Sequence, residues 1–143
     1  FGFTLLPWCE VVLLSPEARV KAPFVGLGVT TQAAASVALA SVMGAKAATW
    51  HILTGDWLSA EDAVTYGLAE KVLPSSDLLP EALALAHRFA GQPPQAMRVT
   101  TRLLRQGRRT GWESALEREY HEMAQLAGGQ ENIEAIGSFF DRD

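Results

Sequence analysis

Apolar and polar positions follow two different rhythms in the two halves of this chain. Before Pro74 the apolar residues come in short continuous runs separated by turns. Val11, Val12, Leu13 and Leu14 form a run of the buried-strand type. Residues 1–4 read as a tight turn entering a short helix that Pro7 ends or bends. After a turn at residues 15–18, residues 19–27 predict a second extended segment, because Pro23 biases Ala22 away from helix. Residues 32–42 are almost all Ala, Ser, Val and Leu, which predicts a helix packed closely on several sides, capped by Thr30 or Thr31. Its first turn presents free backbone N–H groups and a partial positive charge. Gly44 separates it from a further helix over residues 45–53.

Residues 53–74 are the most legible stretch. Gly55-Asp56 breaks the preceding helix. Ser59 with Asp62 resembles a capping box, opening a short helix that stops at Gly67. Residues 68–72 predict a strand that Pro74 closes. Beyond it the period becomes helical. One helix over residues 79–90, capped by Asp77, gathers Leu79, Ala82, Leu83, Ala86 and Ala90 on one face. After Pro93-Pro94, a helix over residues 95–106 is expected to bury Met97, Leu103 and Leu104. A second capping box, Thr110 with Glu113, opens a helix to residue 127 with Trp112, Leu116, Tyr120 and Met123 inward. The last helix, residues 131–140, is expected to turn Ile133, Ile136 and Phe140 inward. Phe139 and Phe140 beside an exposed end would be awkward in a free monomer.

Composition narrows the class. Hydrophobic residues at 48% and charged residues at 20% over 143 positions suit one globular domain with a core. A net charge of −4 argues against nucleic acid as a general partner. The single Cys9 excludes an internal disulfide and reads as a small buried hydrophobe. No apolar run is long enough to cross a bilayer, so no membrane association is expected. Pro7 and Glu10 interrupt the apolar residues 1–14 and no basic region precedes them, so no signal peptide is expected. The chain starts at Phe1, directly in an apolar stretch, and is expected to be part of a longer polypeptide. His51 has no carboxylate or nucleophile at helical spacing and reads as a packed histidine. Arg98, Arg102, Arg105, Arg108 and Arg109 form the strongest basic cluster, either a solvated helix face or a phosphate-binding patch.

Leu53-Thr54-Gly55-Asp56, then Ser59-Ala60-Glu61-Asp62-Ala63, then Gly67-Leu68-Ala69-Glu70-Lys71-Val72 resembles the signature of the crotonase superfamily, the enoyl-CoA hydratases and isomerases. That signature is structural. The resemblance runs through the whole chain, which corresponds to the C-terminal half of a typical member. It implies an α/β fold: the C-terminal half of a ββα spiral over residues 1–74, followed by a helical trimerisation tail over residues 75–143. It also implies an acyl-CoA thioester as partner, with coenzyme A part of the substrate and no separate cofactor or metal. The assembly implied is a homotrimer or a dimer of trimers in the cytoplasm.

Such chemistry needs two backbone donors on the thioester oxygen and one or two carboxylates to move protons. By resemblance, the end of the small-residue helix faces the thioester. One oxyanion donor corresponds to the backbone near Phe1 and Gly2, while the other belongs upstream. Phe24 and Gly28 fall at substrate-binding positions, and Phe140 and Arg142 where the tail reaches coenzyme A. The hydratases' two glutamates correspond to Thr4 and Phe24, and the glutamate of one isomerase group to Gln32. None of the three is a carboxylate. Glu10 and Glu17 are the nearest acids, with Glu10 at the family's structural Cys-Asp position. The pattern resembles the isomerase branch most, with a non-catalytic acyl-CoA-binding scaffold as the main rival and a hydratase third.

Overall fold

The computed structural model describes residues 2–141, apart from the side chains of Arg109 and Thr110. Helix α1 (Gly2–Leu5) runs into a 3-10 turn at Leu6–Trp8, where Pro7 supplies no backbone donor. That turn buries Pro7 and leaves Cys9 exposed, so Cys9 is not the buried hydrophobe expected. Strand β1 (Leu13–Leu14) pairs parallel with β4 (Lys71–Val72), and β2 (Arg19–Val20) pairs antiparallel with β3 (Leu58–Ser59).

These ladders are shorter than the apolar runs predict, and the backbone shows why. Leu68 and Ala69 donate to Ala63 O at 2.8 and 3.2 Å, closing the preceding helix instead of entering the sheet. Beyond Pro23 the extended segment coils into a second 3-10 turn, Val25–Leu27, with Leu27 and Val29 both donating to Phe24 O at 3.0 Å. The result is a helix-rich α/β arrangement with four two-residue strands among the described residues.

Helices α2 (Ala35–Met43) and α3 (Ala45–Thr54) pack on each other and on α1 and the turns. Their inner faces join Phe3, Phe24, Leu39, Ile52, Leu58 and Leu68 in the main core. Leu39 and Leu58 are fully buried, each contributing about 1.5–3 kcal/mol. A second cluster, Ala34, Ala38, Trp112 and Ala115, joins the α2 segment to helix α6 (Pro94–Leu126). Alanines there let the two backbones approach, leaving room for one indole. His51 lies buried, edge-on to Phe3 and Tyr66.

The cap and the glycine stops of the signature stretch form as predicted, while its strand is cut back to Lys71–Val72. Gly55 ends α3 in the left-handed conformation at φ 68°, and Gly67 follows α4 (Ala60–Thr65) at φ 77°. Ser59 Oγ accepts from the Asp62 N–H at 3.0 Å, and the short Asp62 carboxylate accepts from that hydroxyl at 2.9 Å. Replacing Ser59 with alanine is expected to cost about 1 kcal/mol. Thermal unfolding should show that as a fall of roughly 3–5 °C, and an unchanged midpoint would remove the cap from the account.

The helical tail departs most from expectation. α5 (Ser75–Ala90) starts a turn early, at Pro74 and not at Asp77, and none of its residues is buried. Leu79, Leu83 and Phe89 stay exposed beside β1. The two helices expected around Gly107 are one, α6 (Pro94–Leu126). Each interior glycine weakens a helix by about 1 kcal/mol, too little to break one held at both ends. The backbone stays helical through Thr110, so no new helix starts there, and the side chain of Thr110 lies outside the described residues. Trp112 is buried as expected, whereas Leu103, Leu104, Leu116 and Tyr120 remain exposed. In α7 (Gln130–Phe140) the inward residue is Asn132, while Ile133, Ile136 and Phe140 face out.

Candidate functional site

The segment leading into α2 is the centre of the candidate site. It opens three residues later than expected, because Ala33 and Ala34 adopt left-handed backbone at φ 62° and 59°. A residue bearing a Cβ holds that conformation at a cost of about 1–2 kcal/mol, so surrounding contacts must enforce it. Two of them are visible. Trp8 Nε1 donates to Ala33 O at 2.9 Å, and Glu119 from α6 accepts the Ser36 N–H at 2.8 Å. Neither Thr30 nor Thr31 caps the helix; the Glu119 carboxylate does so from 83 positions away. An acid is suited to that place, since the first turn of a helix carries partial positive charge.

Within this segment Thr31 and Ala34 are buried, and Gln32 is exposed. The Thr31 hydroxyl is sealed without a hydrogen-bond partner, as is the second oxygen of Glu119. Thr4 is buried in α1, which packs against α2. Phe24 is buried in the main core and cannot serve as a polar site residue. Gly2 opens α1 and is exposed. Phe1 and Arg142 lie outside the described residues.

Gly28 ends the 3-10 turn in the left-handed region at φ 68°. A Cβ there would stand 2.9 Å from the backbone N and Cα of Asn132. That close approach seats α7: Asn132 Nδ2 donates to Leu27 O at 2.6 Å, and its Oδ1 accepts the Gly128 N–H at 2.9 Å. Beside this seat is an open cavity of about 620 Å³, lined by Lys21, Gly26, Leu27, Gly55, Phe139 and Phe140 among others. Phe140 is thereby brought near the turn that carries Phe24 and Gly28, although its ring is three-quarters exposed.

The nearby acids are not free bases. Glu10 accepts from Arg105 Nε at 2.7 Å and lies 3.8 Å from Arg108 Nη2. The Arg105 hydrogen bond holds the Glu10 carboxyl below the usual carboxylate range. Glu17 is likewise lowered, first by its own backbone N–H and then by the Ser15 and Ser75 hydroxyls. Of the basic cluster, Arg105 and Arg108 are thus tied to the start of the chain, while Arg98 and Arg102 are solvated. Glu119 and Asn132 were invisible in the sequence, because their partners lie on distant turns and no local spacing links them.

The sequence profile of the enoyl-CoA hydratase/isomerase family matches residues 1–141, and the chain belongs to that family. It is similar to the 2,3-dehydroadipyl-CoA hydratase of Escherichia coli K12, at 29% identity over 99% of this chain and 55% of that protein. It is also similar to enoyl-CoA delta isomerase 2 of Rattus norvegicus, at 30% identity over 97% of this chain and 36% of that protein. The crystal structure of an enoyl-CoA hydratase/isomerase from Pseudoalteromonas atlantica superposes with a TM-score of 0.94 at 30% identity. That match covers 99% of this chain and 57% of the other. The fold is therefore the crotonase fold, and the chain spans about half the length of such relatives or less.

Proposed function

We propose that this chain is the acyl-CoA-binding part of a protein that shifts the double bond of an enoyl-CoA. The observation that carries the reading concerns the three positions matching family glutamates. Thr4 and Phe24, the hydratase pair, are sealed inside, whereas Gln32, the isomerase position, is exposed on the lead-in to α2. Backbone donors near Phe1 and Gly2 would hold the thioester oxygen as it gains charge, which lowers the barrier to removing a proton from carbon 2. Returning that proton at carbon 4 completes the isomerisation. Gln32 is neutral and cannot carry it. The carboxylate is therefore proposed to come from the preceding part of the polypeptide. Phe140 and Arg142 on the tail are proposed to reach coenzyme A, in a homotrimer or a dimer of trimers.

A second reading, acyl-CoA binding without turnover, is favoured by the absence of an acid at all three positions. A hydratase stands third, since hydration needs carboxylates where Thr4 and Phe24 stand. The test uses the full polypeptide and a 3-enoyl-CoA. Conversion to the 2-enoyl isomer is expected, and Gln32→Glu should raise the rate at least tenfold. Binding of a CoA ester with no conversion in either form would select the second reading. Conversion that Gln32→Glu leaves unaltered would place Gln32 away from the substrate.

A further inference from the structure

A separate cavity of about 430 Å³ lies between the 3-10 turn at Leu6–Trp8 and α6. Two of its walls are indoles. Trp8 and Trp112 meet edge to face, with centroids 4.6 Å apart and planes at 72°. Leu116 forms a third wall, and the guanidinium of Arg108 stands 5.5 Å from the Trp112 ring centre. The cavity adjoins the candidate site through one residue: Trp8 lies four positions after Thr4, and its Nε1 holds Ala33 O beside Gln32.

We propose that this cavity takes the far end of the acyl group, and that the end it fits is an aromatic ring. The inference rests on the acyl-CoA reading above and names its substrate class. Offset and edge contacts with two indoles reward a planar π-system beyond the area it buries. An acyl group ending in a carboxylate is the obvious competitor, since Arg105 and Arg108 are both at the rim. Both guanidiniums are already engaged there, since Glu10 binds them through Oε1. A substrate carboxylate would have to displace Glu10 before it could pair with Arg105 or Arg108. A ring meets no such opposition, and Arg108 beside Trp112 polarises the stack in its favour.

The experiment measures dissociation constants of the full polypeptide for 3-phenylpropionyl-CoA, butyryl-CoA and adipyl-CoA, by calorimetry or quenching of tryptophan fluorescence. Phenylpropionyl-CoA should bind about tenfold tighter than butyryl-CoA, and adipyl-CoA no tighter than butyryl-CoA. Leu116→Trp fills the cavity and Trp8→Leu removes one indole; in either, the phenylpropionyl-to-butyryl preference should collapse towards one. Equal affinities in the unaltered protein, or a preference for adipyl-CoA, would overturn the assignment while leaving acyl-CoA binding intact. Failure of all three esters to bind would remove the acyl-CoA reading itself, and this one with it.

Discussion

Replacing Gly28 with alanine is expected to loosen α7 from the rest of the chain, with a loss of about 3–5 kcal/mol. Two costs combine. At φ 68° the alanine side chain is strained by about 1–2 kcal/mol. Its Cβ would also press on the backbone N and Cα of Asn132 at 2.9 Å, where no side-chain rotation gives relief. α7 must then shift, and the Asn132 hydrogen bond to Leu27 O lengthens. Amide exchange should report this as protection lost over residues 130–140, by a hundredfold or more. Asn132→Ala provides the comparison, since it removes the hydrogen bonds without the clash. Its expected cost is about 1–3 kcal/mol. Unaltered exchange in the Gly28 variant would mean that α7 is not seated on this turn.

The second large effect is expected at Glu119. Truncation to alanine removes the acceptor of the part-buried Ser36 N–H, empties the space of a buried side chain, and withdraws negative charge from the start of α2. We expect a loss of about 2–4 kcal/mol in chemical denaturation. Glu119→Gln separates charge from shape. Its amide oxygen can still accept from Ser36, so its cost should stay below about 1.5 kcal/mol. A nearly neutral Glu119→Ala would show that the left-handed pair Ala33-Ala34 is held without this carboxylate. The glutamine variant tests a further point, because the second Glu119 oxygen is buried without a partner and an amide there could donate.

Features written within a few residues were the legible ones. The Ser59 cap, the Gly55 and Gly67 stops and the packed His51 all depend on local spacing, and all are present. The tail was legible as helix but not in the direction it faces. A helical pattern identifies an apolar stripe without naming what covers it. In α7 the stripe of Ile133, Ile136 and Phe140 points away, because a glycine and an asparagine bring that helix in by its polar side. In α5 the stripe stays exposed although Leu79, Ala82 and Ala86 share an open cavity with Val11 and Leu13 beside β1. The start of α2 was misplaced for a related reason. Thr30 and Thr31 have the right chemistry for a cap, yet the helix is capped by an acid distant in sequence. The candidate site inherits that difficulty, since Trp8, Ala33 and Glu119 meet only through tertiary contacts.

The Asn132 link to Leu27 spans 105 positions. During synthesis on the ribosome the carbonyl of Leu27 emerges long before Asn132 does, and until then the turn at Val25–Leu27 lacks this clasp. A product that stopped ahead of Asn132 would keep the residues of the signature stretch yet leave the Leu27 carbonyl without the amide that ties it to α7.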